Sequence, residues 1–309
     1  MYQRILAVMT GHDVEDGAIL ARLSTLGEPS SADKQGGSLR LLRPVRSPLS
    51  GMDYRFLTPE LRHQVRHRAL GRAREQLDMQ AARLRSDGMD VSYEVAWLED
   101  DATPMILETA TQQDADLIML LRSHAGATPP GDLRRFLRLN EQIPAWLVDT
   151  SHDSPTSVHA AIDTGGGGGE NLQGAAIAHH AAGLARAARL PLCVLTVVPQ
   201  LDWLTEEMGD VMSEMTRTSD PRREVRDVHQ RHLQALTETL HRDDGLGISH
   251  DILEGTPADA LEWHMRAHPD GLLVMGRSTH HTGLASLWRT TTQEKVLHRV
   301  AGDILIVPC

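Results

Sequence analysis

The chain has 309 residues, 40% of them apolar, which is enough for two domains with cores of their own. Its formal charge of 31 − 42 = −11 argues against general nucleic-acid binding, which needs a basic face. The two cysteines, Cys193 and Cys309, leave neither a disulfide framework nor a thiolate metal site available. No apolar run approaches a membrane span and the first residues do not read as a signal peptide, so a cytoplasmic protein without membrane contact is expected.

In chain order, Arg4–Met9 reads as a short apolar strand, Asp13–Leu26 as a helix and Leu39–Val45 as a second strand. Pro48–Thr58 interrupts the pattern. Leu61, Val65, Ala69, Ala73, Leu77, Ala81 and Leu84 fall near helical spacing and are expected to line one buried face. The arginines between Arg62 and Arg74 then belong to the solvated face of that helix. Val91, Tyr93, Val95 and Trp97 alternate as a strand does. Asp116–Leu121 and Ala145–Asp149 are further apolar strands.

After residue 150 the design repeats. Strands are expected at Val158–Asp163, Leu192–Pro199, Gly247–Leu253, Gly271–Gly276 and Asp303–Pro308. Helices are expected at Leu172–Ala188, Arg222–His241, Pro257–His268 and Thr291–Arg299. Thr103-Pro104 and Thr256-Pro257 each open a helix, where the missing proline N–H needs no partner. Each is followed by an aspartate and an apolar strand, Asp116–Leu121 and Asp270–Gly276. The polar segment 151–157 is the linker between a first domain, 1–150, and a second, 158–309. Strand–helix alternation with apolar strands predicts an α/β protein: two tandem, doubly wound, five-stranded parallel sheets. Ligands then bind at the carboxyl ends of the strands, where strand order reverses.

The duplication, the Thr-Pro helix starts, Leu57-Thr58-Pro59-Glu60-Leu61 and the loop after Gly276 together resemble the tandem universal stress proteins, particularly the universal stress protein E type. The closest local match is Gly283-Leu284 followed by Thr292-x-Glu294-x-Val296-Leu297. The resemblance implies two adenine-nucleotide α-hydrolase-like domains of strand order 3-2-1-4-5, packed as a pseudo-dimer, with a homodimer of chains left open. It implies a stress-survival role exerted through a protein partner or a small-molecule ligand rather than catalysis. The cofactor it implies is ATP or AMP in the second domain, and otherwise none. Asp163 matches the acidic residue facing adenine and ribose, Gly276 the first loop glycine, and Thr291 the Ser/Thr that starts the following helix. Gly283 lies within that loop, and Thr290 stands where the third glycine belongs.

The loop departs from the family pattern. Thr279 replaces the second glycine, the Thr279–Thr282 stretch is one residue longer than usual, and a β-branched residue does not allow the close backbone approach a glycine does. Arg277, His280, His281 and Arg289 could supply compensating charge. Thr291 with Glu294 also reads as a capping box. The first domain has no such loop after Leu121, so any nucleotide is expected in the second domain. Two rival readings stay open: an ATP-binding or slowly ATP-hydrolysing sensor, and a carrier of a lipid-like ligand suggested by the insertion at Gln200–Asp220 with Trp203, Met208, Met212 and Met215. Gly165–Gly169 reads as a flexible loop. The 17 histidines include His229 and His232 one helical turn apart and the pairs His179-His180 and His280-His281, yet no HExxH or Cys/His set is visible, so no metal site is expected. No nucleophile elbow or Walker loop points to catalysis.

Overall fold

The computed structural model describes residues 2–26, 37–47, 54–99, 101–122, 131–164, 172–198, 221–241, 246–277 and 293–308. They fall into two compact units that divide between Ser154 and Pro155. Among the described residues no helix is long and apolar enough to cross a membrane.

The first unit runs β1 (Arg4–Val8), α1 (Asp13–Thr25), β2 (Ser38–Val45), α2 (Pro59–Ser86), β3 (Asp90–Trp97), α3 (Thr103–Gln112), β4 (Leu117–Arg122), α4 (Gly131–Leu139) and β5 (Ala145–Asp149). Its strands pair in the order β3-β2-β1-β4-β5, and every pair is parallel. The order reverses between β1 and β4, which opens a crevice at their carboxyl ends. The runs Leu117–Leu120 and Ala145–Val148 are buried throughout: both faces of β4 and β5 are covered, so both must be apolar. Asp116 ties the sheet at its amino edge by accepting from the backbone N–H of Gln3 at 2.7 Å and of Arg4 at 2.9 Å.

The helix α2 is 28 residues long, and Thr58 caps it by accepting from the Leu61 N–H. Only its later half is core: Ala73, Leu77, Ala81 and Leu84 are buried, whereas Leu61 is 46% exposed. The apolar stripe read from the sequence is therefore half right, since the early turns lack a sheet beneath them to bury it. The helix α4 is an element that apolar spacing did not disclose.

The second unit runs β6 (Ser157–Ala161), α5 (Leu172–Ala188), β7 (Leu192–Val198), α6 (Pro221–His241), β8 (Ile248–Glu254), α7 (Pro257–Ala267), β9 (Gly271–Arg277) and β10 (Asp303–Pro308), with residues 293–299 also helical. Its order is β8-β7-β6-β9-β10, again all parallel, so the second unit repeats the 3-2-1-4-5 pattern of the first. The helix α5 presents Ala178, Ala181, Ala182 and Ala185 to β6 and β9, all fully buried. Small side chains let it sit close to the sheet. Thr256 precedes α7 and donates its hydroxyl to the Asp259 carboxylate at 2.5 Å.

Candidate functional site

The crevice of the second unit lies where β6 and β9 end. Ala161 on β6 is the register partner of Met275 on β9, and two residues further on the chains reach Asp163 and Arg277. Gly276 lies between Met275 and Arg277, half-buried, while Asp163 is exposed. These residues bring a carboxylate, a guanidinium and a bare backbone position to one edge.

The end of β6 is held by its neighbours. The buried Thr164 hydroxyl bonds to the Thr196 hydroxyl of β7 at 2.8 Å and to Nδ1 of His229 on α6. One turn later, Nδ1 of His232 reaches the Thr164 carbonyl at 3.4 Å. Burial pushes the His229 imidazole below its ordinary value, with the Asp163 charge opposing that shift and His232 adding to it. A neutral His229 ring keeps a hydrogen bond without the cost of a buried charge. The two histidines one turn apart thus hold the strand end that carries Asp163. The Thr164 hydroxyl is committed to two partners, so this constellation positions rather than attacks.

Of the residues expected to bind a ligand, Asp163 and Gly276 are brought to this edge. Gly283, Thr290 and Thr291 lie outside the described residues. So do Thr279, His280, His281, Arg289, the five glycines at Gly165–Gly169 and the insertion at Gln200–Asp220.

The first unit closes the same edge with its own groups. Asp16, buried in the first turn of α1, accepts from the Thr10 N–H at 2.7 Å, the Gly11 N–H at 3.1 Å and Nε2 of Gln80 at 3.3 Å. Gly11 sits at φ +86° under the Arg43 guanidinium, and a Cβ there would come within 2.0 Å of Nη2. Glycine suits the turn, and any side chain there would also push the Arg43 guanidinium aside. Beside it Arg43, Arg46, Arg68 and Arg72 line an open cavity of about 520 Å³.

The two units differ at the ends of β4 and β9. Six residues after Asp116 stands Arg122; six residues after Asp270 stands Gly276. Arg122 pairs in register with Asp149, whereas Gly276 pairs with Val307. The first unit therefore carries an ion pair, 3.0 Å between Nη2 and Oδ2, where the second carries glycine and valine. Burial would raise the Asp149 carboxyl, but the hydroxyl and N–H of Ser151 and the Arg122 guanidinium hold it below the usual carboxylate value.

A second cluster went unseen in the sequence. His159, Cys193 and His264 converge inside the second unit, away from the crevice. Their separation along the chain hides them, and only the strand register discloses that His159 and Cys193 are neighbours.

Residues 161–308 match the family model of the universal stress protein family. The whole chain is similar in fold to solved structures. A putative universal stress protein from Pseudomonas aeruginosa UCBPP-PA14 is 20% identical, with a TM-score of 0.67 over 99% of this chain and 93% of that one. A universal stress protein from Archaeoglobus fulgidus DSM 4304 is 13% identical, with a TM-score of 0.63 over 99% and 98%. The cytoplasmic domain of a prokaryotic cation chloride cotransporter is 11% identical, with a TM-score of 0.55 over 99% and 95%. No curated protein matches the sequence. The likeness to the universal stress protein family is thus carried by residues 161–308, a little under half of the chain, while the solved structures share the fold of the whole.

Proposed function

We propose that the protein is a non-catalytic stress-response protein whose second unit binds an adenine nucleotide, ATP or AMP, at the carboxyl edge of its sheet. The match of residues 161–308 to the universal stress protein family supports the stress-related role. One observation favours the second unit over the first: Gly276 and Val307 stand in register where the first unit has the buried ion pair of Arg122 and Asp149. Asp163, exposed at the end of the adjacent strand, offers a carboxylate to ribose or adenine donors, and Arg277 offers positive charge to phosphate. Binding is proposed to change which protein partner the chain engages.

Calorimetry of the full chain with ATP and with AMP tests this reading. One nucleotide per chain is expected. Asp163→Ala should weaken binding by about 1.5–3 kcal/mol, as loss of hydrogen bonds to a charged group does. Gly276→Arg should abolish it by recreating the side chain found at the first unit's strand end. Two nucleotides per chain, or binding indifferent to both substitutions, would remove the reading. Steady ATP hydrolysis would favour a sensor enzyme instead. An apolar metabolite released on denaturation, with no heat from nucleotide, would favour a carrier.

A further inference from the structure

His159 lies on β6 and is 3% exposed; Cys193 is its register partner on β7; His264 lies on α7 and is 7% exposed. Each offers one donor atom, and these atoms lie within 4.8 Å of one another. Nε2 of His264 is 3.1 Å from Nδ1 of His159. A tetrahedral zinc ion with bonds of about 2.0–2.3 Å to nitrogen and sulfur sets its ligand atoms about 3.3–3.7 Å apart. The two nitrogens, 3.1 Å apart, need to separate by only about 0.2 Å, and the widest gap in the cluster needs to close by about 1 Å.

The surroundings fit as well. The far nitrogen of His159, Nε2, is 2.8 Å from the Ser157 hydroxyl. That bond orients the ring with Nδ1 toward the cluster, as an outer partner of a metal-binding histidine does. His268 follows His264 by four residues, and its ring centroid is 4.8 Å from that of His159 and 4.9 Å from that of His264. It is exposed, so its ring lies beside the cluster on the side that solvent reaches. Gly271 makes the room: a Cβ there would stand 2.9 Å from Cδ2 of His159 and 2.8 Å from Cε of Met265.

We propose that His159, Cys193 and His264 bind one divalent transition-metal ion of the zinc type, with His268 as a fourth ligand. Two imidazoles and a thiolate are the donor set zinc takes in preference to magnesium or calcium, which favour oxygen. On binding, the Cys193 thiol gives its proton to solvent and its sulfur bonds the metal. The imidazoles coordinate as neutral rings. His159 keeps its proton on Nε2, facing Ser157, so one proton is released per ion.

The test uses the full chain, stripped with chelator and titrated first with cobalt(II), then with zinc. Expected are one cobalt per chain, a thiolate-to-cobalt charge-transfer band, the strong visible bands of tetrahedral cobalt, and their loss when zinc is added. Cys193→Ser should remove the charge-transfer band, whereas Cys309→Ser should keep it. His264→Ala should lower zinc affinity about a hundredfold or more, and Ser157→Ala about tenfold, as an outer partner does. X-ray absorption of the unsubstituted zinc-loaded chain should show one sulfur among nitrogen neighbours, which covers the case of a variant that does not fold. Zinc held with no sulfur neighbour, a band that survives Cys193→Ser, or no tetrahedral cobalt spectrum would each overturn the proposal.

Discussion

Arg122 and Asp149 are register partners on β4 and β5, and their fully buried side chains meet 3.0 Å apart. Removing one member of such a pair leaves the other charge buried without its counter-charge. Asp149→Val should therefore destabilise the first unit by about 3–5 kcal/mol. The double variant Arg122→Leu with Asp149→Val should recover most of that loss, because an apolar pair needs no compensation. Urea unfolding of the three proteins checks this. A double variant as unstable as the single one would show that the pair matters for other contacts of these residues.

The same pair sets an acid limit. The Asp149 carboxyl titrates in the folded state below its ordinary 3.8, so the unfolded chain takes up the proton first. Its stabilising contribution is present above about pH 4 and is lost as pH falls through the lowered value. The stability difference between the unsubstituted chain and Asp149→Asn should shrink from about pH 5 to about pH 3. A difference constant across that range would contradict the assignment.

Arg22, 2% exposed, donates through Nη2 to the carbonyls of Asp149, His152 and Asp153 at 3.1, 2.9 and 2.9 Å. Arg22→Met would leave these acceptors without that donor, at a cost of about 1–3 kcal/mol for each that water cannot reach. Faster amide hydrogen exchange in the backbone segment 150–154 is the expected outcome. Exchange unchanged there would mean that other contacts hold the segment.

Thr164→Val keeps the shape of the side chain but removes the hydroxyl shared by Thr196 and His229. A loss of about 1–3 kcal/mol is expected from the two buried partners left behind. On the proposed function, ATP affinity should fall in parallel, since Asp163 precedes this anchor directly. Thermal unfolding and calorimetry on the same variant separate the two effects.

Much of the fold was legible because its strands are covered on both faces. Leu117–Leu120 and Ile304–Val307 are buried throughout, and such runs announce a parallel sheet. Two aspartates each followed by a strand marked the repeat. The candidate site was legible only in its strand ends, Asp163 and Gly276. Arg122 gave no sign of its role, since an arginine after an apolar run reads as the first residue of a solvated loop. Its partner Asp149 comes from another strand, and only the register joins them. His229 and His232 were visible as a helical pair, but what they face depends on Thr164, about 65 residues earlier in the chain. The histidine–cysteine cluster is harder still, with His159 and His264 separated by 105 positions. No short motif can span a donor set that three separate elements assemble.

Gly271 carries a consequence for descent. Its α-carbon faces the Cδ2 edge of His159 and the terminal methyl of Met265 so closely that any side chain would displace one of them. Positions 271 and 159 are thus bound in a shared history. A lineage that acquires alanine or serine at 271 must shift the Met265 methyl or the imidazole at 159, and the His268 carbonyl, 3.0 Å from that Cβ, keeps the position tight even where the imidazole is lost. In an alignment of descendants, columns 271, 159 and 265 should change together, although they lie on three different elements.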